Sequence, residues 1–105
     1  MDSSLLVRAR SLIAEAESAL TKHGLDSRVE LSPRDRNPRS ISWIVEGAYR
    51  MSQIVLWEDG QSEVELAEVE TGQIVSDHRQ IDGEGALIEL VGSTTSWLLE
   101  AGMAV

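Results

Sequence analysis

The chain has 105 residues, 42% hydrophobic and 26% charged, the balance of a globular protein rather than a disordered one. It contains no cysteine, which excludes thiol catalysis, disulfide cross-links and cysteine-held zinc or iron–sulfur centres. A net charge of −9 argues against nucleic acid as a partner, because holding phosphates takes clustered Lys and Arg.

At this length a single domain over residues 1–105 is expected. The apolar runs are too short for a membrane span, which needs about 20 residues. Met1-Asp2-Ser3-Ser4 has no basic stretch of the kind that opens a secretory signal, so a cytoplasmic location is the expectation. The charge is unevenly spread. Residues 1–50 hold seven acids and eight bases, whereas residues 51–105 hold eleven acids and one base, Arg79. An acidic C-terminal half is either a solvated surface or a patch that steers a basic partner.

Residues 3–23 predict an amphipathic helix. Ser3 or Ser4 is placed to cap it, and Leu5, Ala9, Leu12, Ile13, Ala16 and Leu20 recur at helical spacing. Lys22 and His23 suit the negative end of the helix dipole, and Gly24 occupies the position where a left-handed residue ends a helix. From residue 27 to 81 the period drops to two. Val29 and Leu31 mark a first strand, and residues 33–39 a basic loop bracketed by Pro33 and Pro38. Ile41, Trp43 and Val45 mark a second strand. A third runs from Tyr49 to Glu58 and a fourth from Gln61 to about Val69. After Glu70-Thr71-Gly72 a fifth occupies Gln73–Arg79. Helical spacing returns over 83–101, with Asp82 as its expected cap and Leu87, Leu90, Val91, Thr94, Leu98 and Ala101 on one face. The expected fold is α+β: a five-stranded antiparallel meander flanked by an N-terminal and a C-terminal helix.

Asp59-Gly60 is a strong two-residue hairpin signal. Read that way, it pairs Trp57 with Ser62, Leu56 with Glu63 and Ile54 with Glu65. Val55, Trp57, Val64 and Leu66 would then face the helices. Ile54 and Leu56 would lie on the opposite face beside Glu63 and Glu65, an aliphatic strip flanked by carboxylates. Trp43 and Trp57 alternate inward, although Trp57 ends its strand beside Glu58 and Asp59, where a half-exposed ring would make a binding anchor.

No catalytic constellation emerges. His78 lies between Asp77 and Arg79, but neighbouring strand residues point to opposite faces, so Asp77 cannot orient its imidazole. Gly83-x-Gly85 lacks the third glycine and the context of a dinucleotide site. The carboxylates at Glu58, Asp59, Glu63, Glu65, Glu68 and Glu70 follow no calcium-loop spacing and have no histidine pair beside them. Such carboxylates repel one another unless a cation or a basic partner neutralises them. No metal, cofactor or enzymatic activity is therefore expected.

The stretch Ile54-Val55-Leu56-Trp57-Glu58-Asp59-Gly60, followed by Val64-Glu65-Leu66 and Val69-Glu70-Thr71-Gly72, resembles the TriTu family of immunity proteins of bacterial polymorphic toxin systems. The likeness covers roughly residues 41–100: a strand ending in Trp-acid-x-Gly, an acidic strand, Glu-Thr-Gly, a further strand and a C-terminal helix. It implies a non-enzymatic neutraliser that binds a cognate toxin, one with a basic surface by the charge argument. The residues expected to bind are Ile54, Leu56, Trp57, Glu58, Asp59, Glu63 and Glu65. The basic loop 33–39 is an alternative contact, and the free chain is expected to be a monomer or weak dimer. The competing reading is a small acidic secretion chaperone for an effector segment. Type III secretion chaperones, however, place a helix between their third and fourth strands, where this chain has only Asp59-Gly60.

Overall fold

A computed structural model describes residues 4–33 and 35–103. Helix α1 (Ser4–Lys22) leads into strands β1 (Asp26–Leu31), β2 (Ser40–Glu46), β3 (Arg50–Trp57), β4 (Gln61–Glu68) and β5 (Ile74–Gln80), and helix α2 (Glu84–Met103) follows. The strands form one sheet in the order β1-β2-β3-β4-β5, every neighbouring pair antiparallel. This is the expected α+β meander, preceded by one helix and followed by the other in chain order.

α1 ends as its sequence dictates. Gly24 takes a φ of 83°, its amide donates to the Thr21 carbonyl, and the Leu25 amide reaches back to Leu20 at 2.9 Å. These two bonds satisfy carbonyls that the last turn would otherwise leave free. The His23 ring adds a bond between Nδ1 and the Ala19 carbonyl at 2.9 Å. The Ser3 cap lies outside the described residues, as does the side chain of Ala101. α2 starts one residue later than Asp82 would place it, with the Gly83 carbonyl accepting the Leu87 amide.

The core lies between one face of the sheet and both helices. Ile41, Trp43 and Val45 of β2, Ile54 and Leu56 of β3 and Val64 of β4 are buried there. They meet Leu6, Ala9, Ile13 and Leu20 of α1 and Leu87, Leu90, Val91 and Leu98 of α2. Trp43 is only 1% exposed, and its indole N–H donates to Ser27 Oγ, which in turn donates to Glu17. This relay ties β2, β1 and α1 together while satisfying the one polar atom of a buried ring. At the other end Arg50 donates to the Trp97 carbonyl at 2.6 Å and lies 4.5 Å from the centre of that indole, fastening the start of β3 to α2.

The β3–β4 register differs by one residue from the sequence expectation. Leu56 pairs with Ser62, Val55 with Glu63 and Ile54 with Val64. The loop is three residues long, Glu58-Asp59-Gly60, closed by a bond from the Gly60 amide to the Trp57 carbonyl at 2.9 Å. A two-residue type I′ turn needs positive φ at both central residues; here Gly60 has φ 93° and Asp59 is not positive. Gly60 therefore forms the left-handed bulge after an ordinary turn. A one-residue slip moves every side chain to the other face. Ile54 and Leu56 consequently lie in the core, and Val55 and Trp57 lie opposite the helices.

Candidate functional site

Both helices cover the same side of the sheet, which leaves the other side open. The register sets out this open face in rows across the strands. Asp26, Glu46, Met51, Ala67 and Ile74 form one row; Arg28, Ile44, Gln53, Glu65 and Ser76 the next; Glu30, Ser42, Val55, Glu63 and His78 the third. Ser40 and Trp57 continue it on β2 and β3, and Gln61 and Gln80 on β4 and β5.

The chemistry of the face follows from these positions. Its middle is apolar: Ile44, Val55 and Trp57 are each half-buried, with Met51 more exposed beside them. Its surround is acidic. Asp26, Glu30, Glu46, Glu63 and Glu65 are all exposed, against the single guanidinium of Arg28, whose nearest acid on the face is Glu46 at 3.9 Å. Glu63 stands directly across from Val55, and Glu65 across from Gln53. An apolar centre with a charged rim is the usual anatomy of a protein–protein contact surface.

The residues at the hairpin tip are less free. Glu58 accepts the Arg39 amide through Oε1 and donates its own amide to the Arg39 carbonyl, so it holds the end of the loop at 33–39 against β3. Arg34 of that loop lies outside the described residues. Asp59 Oδ1 accepts the Gln61 amide at 3.0 Å, and the Asp59 carbonyl accepts from the Gln80 side chain. Glu58 thus ties down the loop and Asp59 the turn, and both still reach solvent.

Of the seven residues singled out from sequence, Trp57, Glu58, Asp59, Glu63 and Glu65 are thus grouped on or beside this face. Ile54 (5% exposed) and Leu56 (2%) are not, because the three-residue loop turns them into the core. Val55, Ile44 and Met51 take their place. For Val55 and Met51 the signal that would have found them is the loop length, which alternation alone does not reveal; Ile44 already follows from the alternation of β2.

His78 sits on the open face across from Glu63, with its Nε2 against the Gln61 side chain. Asp77 points to the other side and pairs with Arg79 at 2.6 Å, so the two do not form an acid–base dyad. That hydrogen bond, with the Arg79 charge behind it, holds the Asp77 carboxyl below the usual carboxylate range. Among the described residues no group of three or more acids and histidines is placed to hold a metal ion. Nor is any described helix long and apolar enough to cross a membrane. A concavity between the N-terminal parts of α1 and α2 is lined by Leu5, Val7 and Leu87 together with Arg8 and Glu84, which are joined at 2.7 Å.

No curated protein and no solved structure matches the chain. Residues 9–97, which run from within α1 to Trp97 of α2, match the family of the immunity protein TriTu. With most of its length inside that match, the chain belongs to the TriTu family of immunity proteins.

Proposed function

We propose that this protein neutralises a cognate toxin domain of a bacterial polymorphic toxin system by docking its open acidic sheet face onto a basic surface of the toxin. The observation that carries the reading is the open face itself: Val55 and Trp57 as an apolar centre beside the exposed carboxylates of Glu63 and Glu65. Family membership supports a toxin as the partner. The charge supports a basic one, since complementary potentials speed encounter and disfavour wrong partners. Trp57 and Val55 act as anchors, Glu63 and Glu65 pair with cations of the toxin, and Glu58 and Asp59 contribute at the rim. Neutralisation is by occlusion and needs no chemistry from this chain.

The test is co-expression with the toxin encoded beside it. Cells should survive with the wild-type chain, and a one-to-one complex should co-purify. Rescue should fall sharply in the Glu63→Lys/Glu65→Lys variant. Survival unchanged by that double reversal would remove the open face from the account. Absence of both complex and rescue would remove the toxin.

A further inference from the structure

β5 is one of the two edge strands of the sheet, β1 being the other, and all seven of its residues are exposed. It has no proline, no lysine and no covering helix, and its only charged side chains are Asp77 and Arg79. Hydrogen bonds at the two ends of the β4–β5 hairpin fix which backbone groups are free. The Glu68 amide donates to Gln73, and the Ile81 amide donates to Gly60. With the register constant between them, odd-numbered residues of β5 bond to β4. Ile74, Ser76, His78 and Gln80 therefore turn their N–H and C=O groups outward. The outward His78 amide is held by Asp77 Oδ1 at 3.0 Å, the short-range bond of a donor that has no strand beside it.

The charges along this edge are antisymmetric. Asp77 and Arg79 flank His78, and no other residue of β5 carries a formal charge. From this we infer that β5 pairs antiparallel with β5 of a second copy of this chain, about a two-fold axis through His78. In that register His78 faces His78 and Ser76 faces Gln80 as hydrogen-bonded pairs, using the outward groups. Asp77 of each copy then stands opposite Arg79 of the other in the closer, non-hydrogen-bonded pairing, with Cα atoms about 4.5 Å apart.

Neighbouring registers are worse. Moving the axis to Asp77 sets two carboxylates face to face, and moving it to Arg79 does the same to two guanidinium groups. Moving it to Ser76 or Gln80 leaves both charges without an opposite partner. The charge pattern thus selects one alignment and penalises the two nearest.

Little is lost in the exchange. The Asp77–Arg79 bridge within the strand is solvent-exposed, and such pairs contribute little on their own. In the dimer the two such bridges, one in each copy, are exchanged for two between copies, and the His78 amide passes from a side-chain acceptor to a strand acceptor. The exposed Val75 also gains Ile81 of the second copy as its neighbour. The axis is perpendicular to the sheet, so the two open faces point the same way and stay uncovered. The inference rests on β5 alone and stands apart from the toxin-docking reading.

Sedimentation equilibrium on the purified chain tests it, with circular dichroism to confirm that each variant is folded. The wild type should show a concentration-dependent monomer–dimer equilibrium. Asp77→Arg and Arg79→Asp should each be monomeric, since each sets like charges opposite one another. An equimolar mixture of these two variants should regain the dimer, which no effect confined to one chain can produce. Ser76→Pro, which removes an outward amide without touching a backbone bond to β4, should also be monomeric. A wild type that stays monomeric to millimolar concentration would overturn the proposal. So would a dimer that persists in Ser76→Pro, or a mixture that fails to dimerise.

Discussion

Leu56 and Val55 are adjacent in β3, and the three-residue loop sends them to opposite sides of the sheet, so their truncation separates the two registers. Leu56 is 2% exposed and pairs with Ile41 on β2. It shares a small interior space with Ala9 and Ile13 of α1, Trp43 of β2 and Leu87, Leu90 and Val91 of α2. Leu56→Ala would leave a hole walled by both helices and two strands, a setting with little freedom to collapse. The expected loss is about 3 kcal/mol, combining the transfer of the lost carbons and the residual cavity. In a chain of this size that lowers the melting temperature by roughly 15 °C. Val55 is half-buried on the open face with no helix above it, so Val55→Ala should cost about 1 kcal/mol or less. Urea unfolding followed by circular dichroism gives both values. Equal losses, or a larger one at Val55, would refute the register and with it the composition of the open face.

Two further predictions concern the turn and the edge strand. A Cβ at Gly60 would lie 2.7 Å from the Ile81 carbonyl oxygen at a φ of 93°, whereas at Gly72, φ 75°, it would meet nothing within 4 Å. Gly72→Ala should therefore lose only the backbone strain, of order 1–3 kcal/mol, and Gly60→Ala distinctly more in the same unfolding assay. Equal losses would show that the close approach of Gly60 to Ile81 is unimportant. In an NMR titration the Asp77 carboxyl should titrate below the usual aspartate value, and Arg79→Ala should move it upward. Because its folded pKa is depressed, any stability it adds is present above its unfolded pKa and fades as pH falls through the folded one. An Asp77 titration unchanged in Arg79→Ala would contradict the assigned cause.

The chain announced its elements clearly because the signals were redundant. Gly24 agreed with the apolar stripe of α1 about where the helix ends, and Trp43 sat inward both by alternation and by its bulk. The hairpin at Asp59-Gly60 had no such second witness. A two-residue and a three-residue loop share the same dipeptide and differ in the backbone conformation of Glu58 and Asp59, which their residue types do not dictate. That local difference decided whether Leu56 or Val55 faced the helices. The acids at Glu63 and Glu65 could be placed on the open face because they are polar residues flanking the inward Val64, whichever partner they meet across the strand. The contact of Arg50 with Trp97 joins elements far apart in sequence, and spacing rules do not reach that far.

The central claim, that the open sheet face docks a basic toxin surface, is tested most directly by association kinetics with two matched charge reversals. Glu63→Lys/Glu65→Lys alters the open face; Glu15→Lys/Glu89→Lys makes the same change in net charge at exposed positions on the helices. The toxin should associate roughly tenfold more slowly with the sheet variant at low salt, the difference shrinking as salt is added. The helix variant should associate much as the wild type does. Equal slowing in both would mean that only net charge matters, and slowing confined to the helix variant would place the interface on the other side of the molecule.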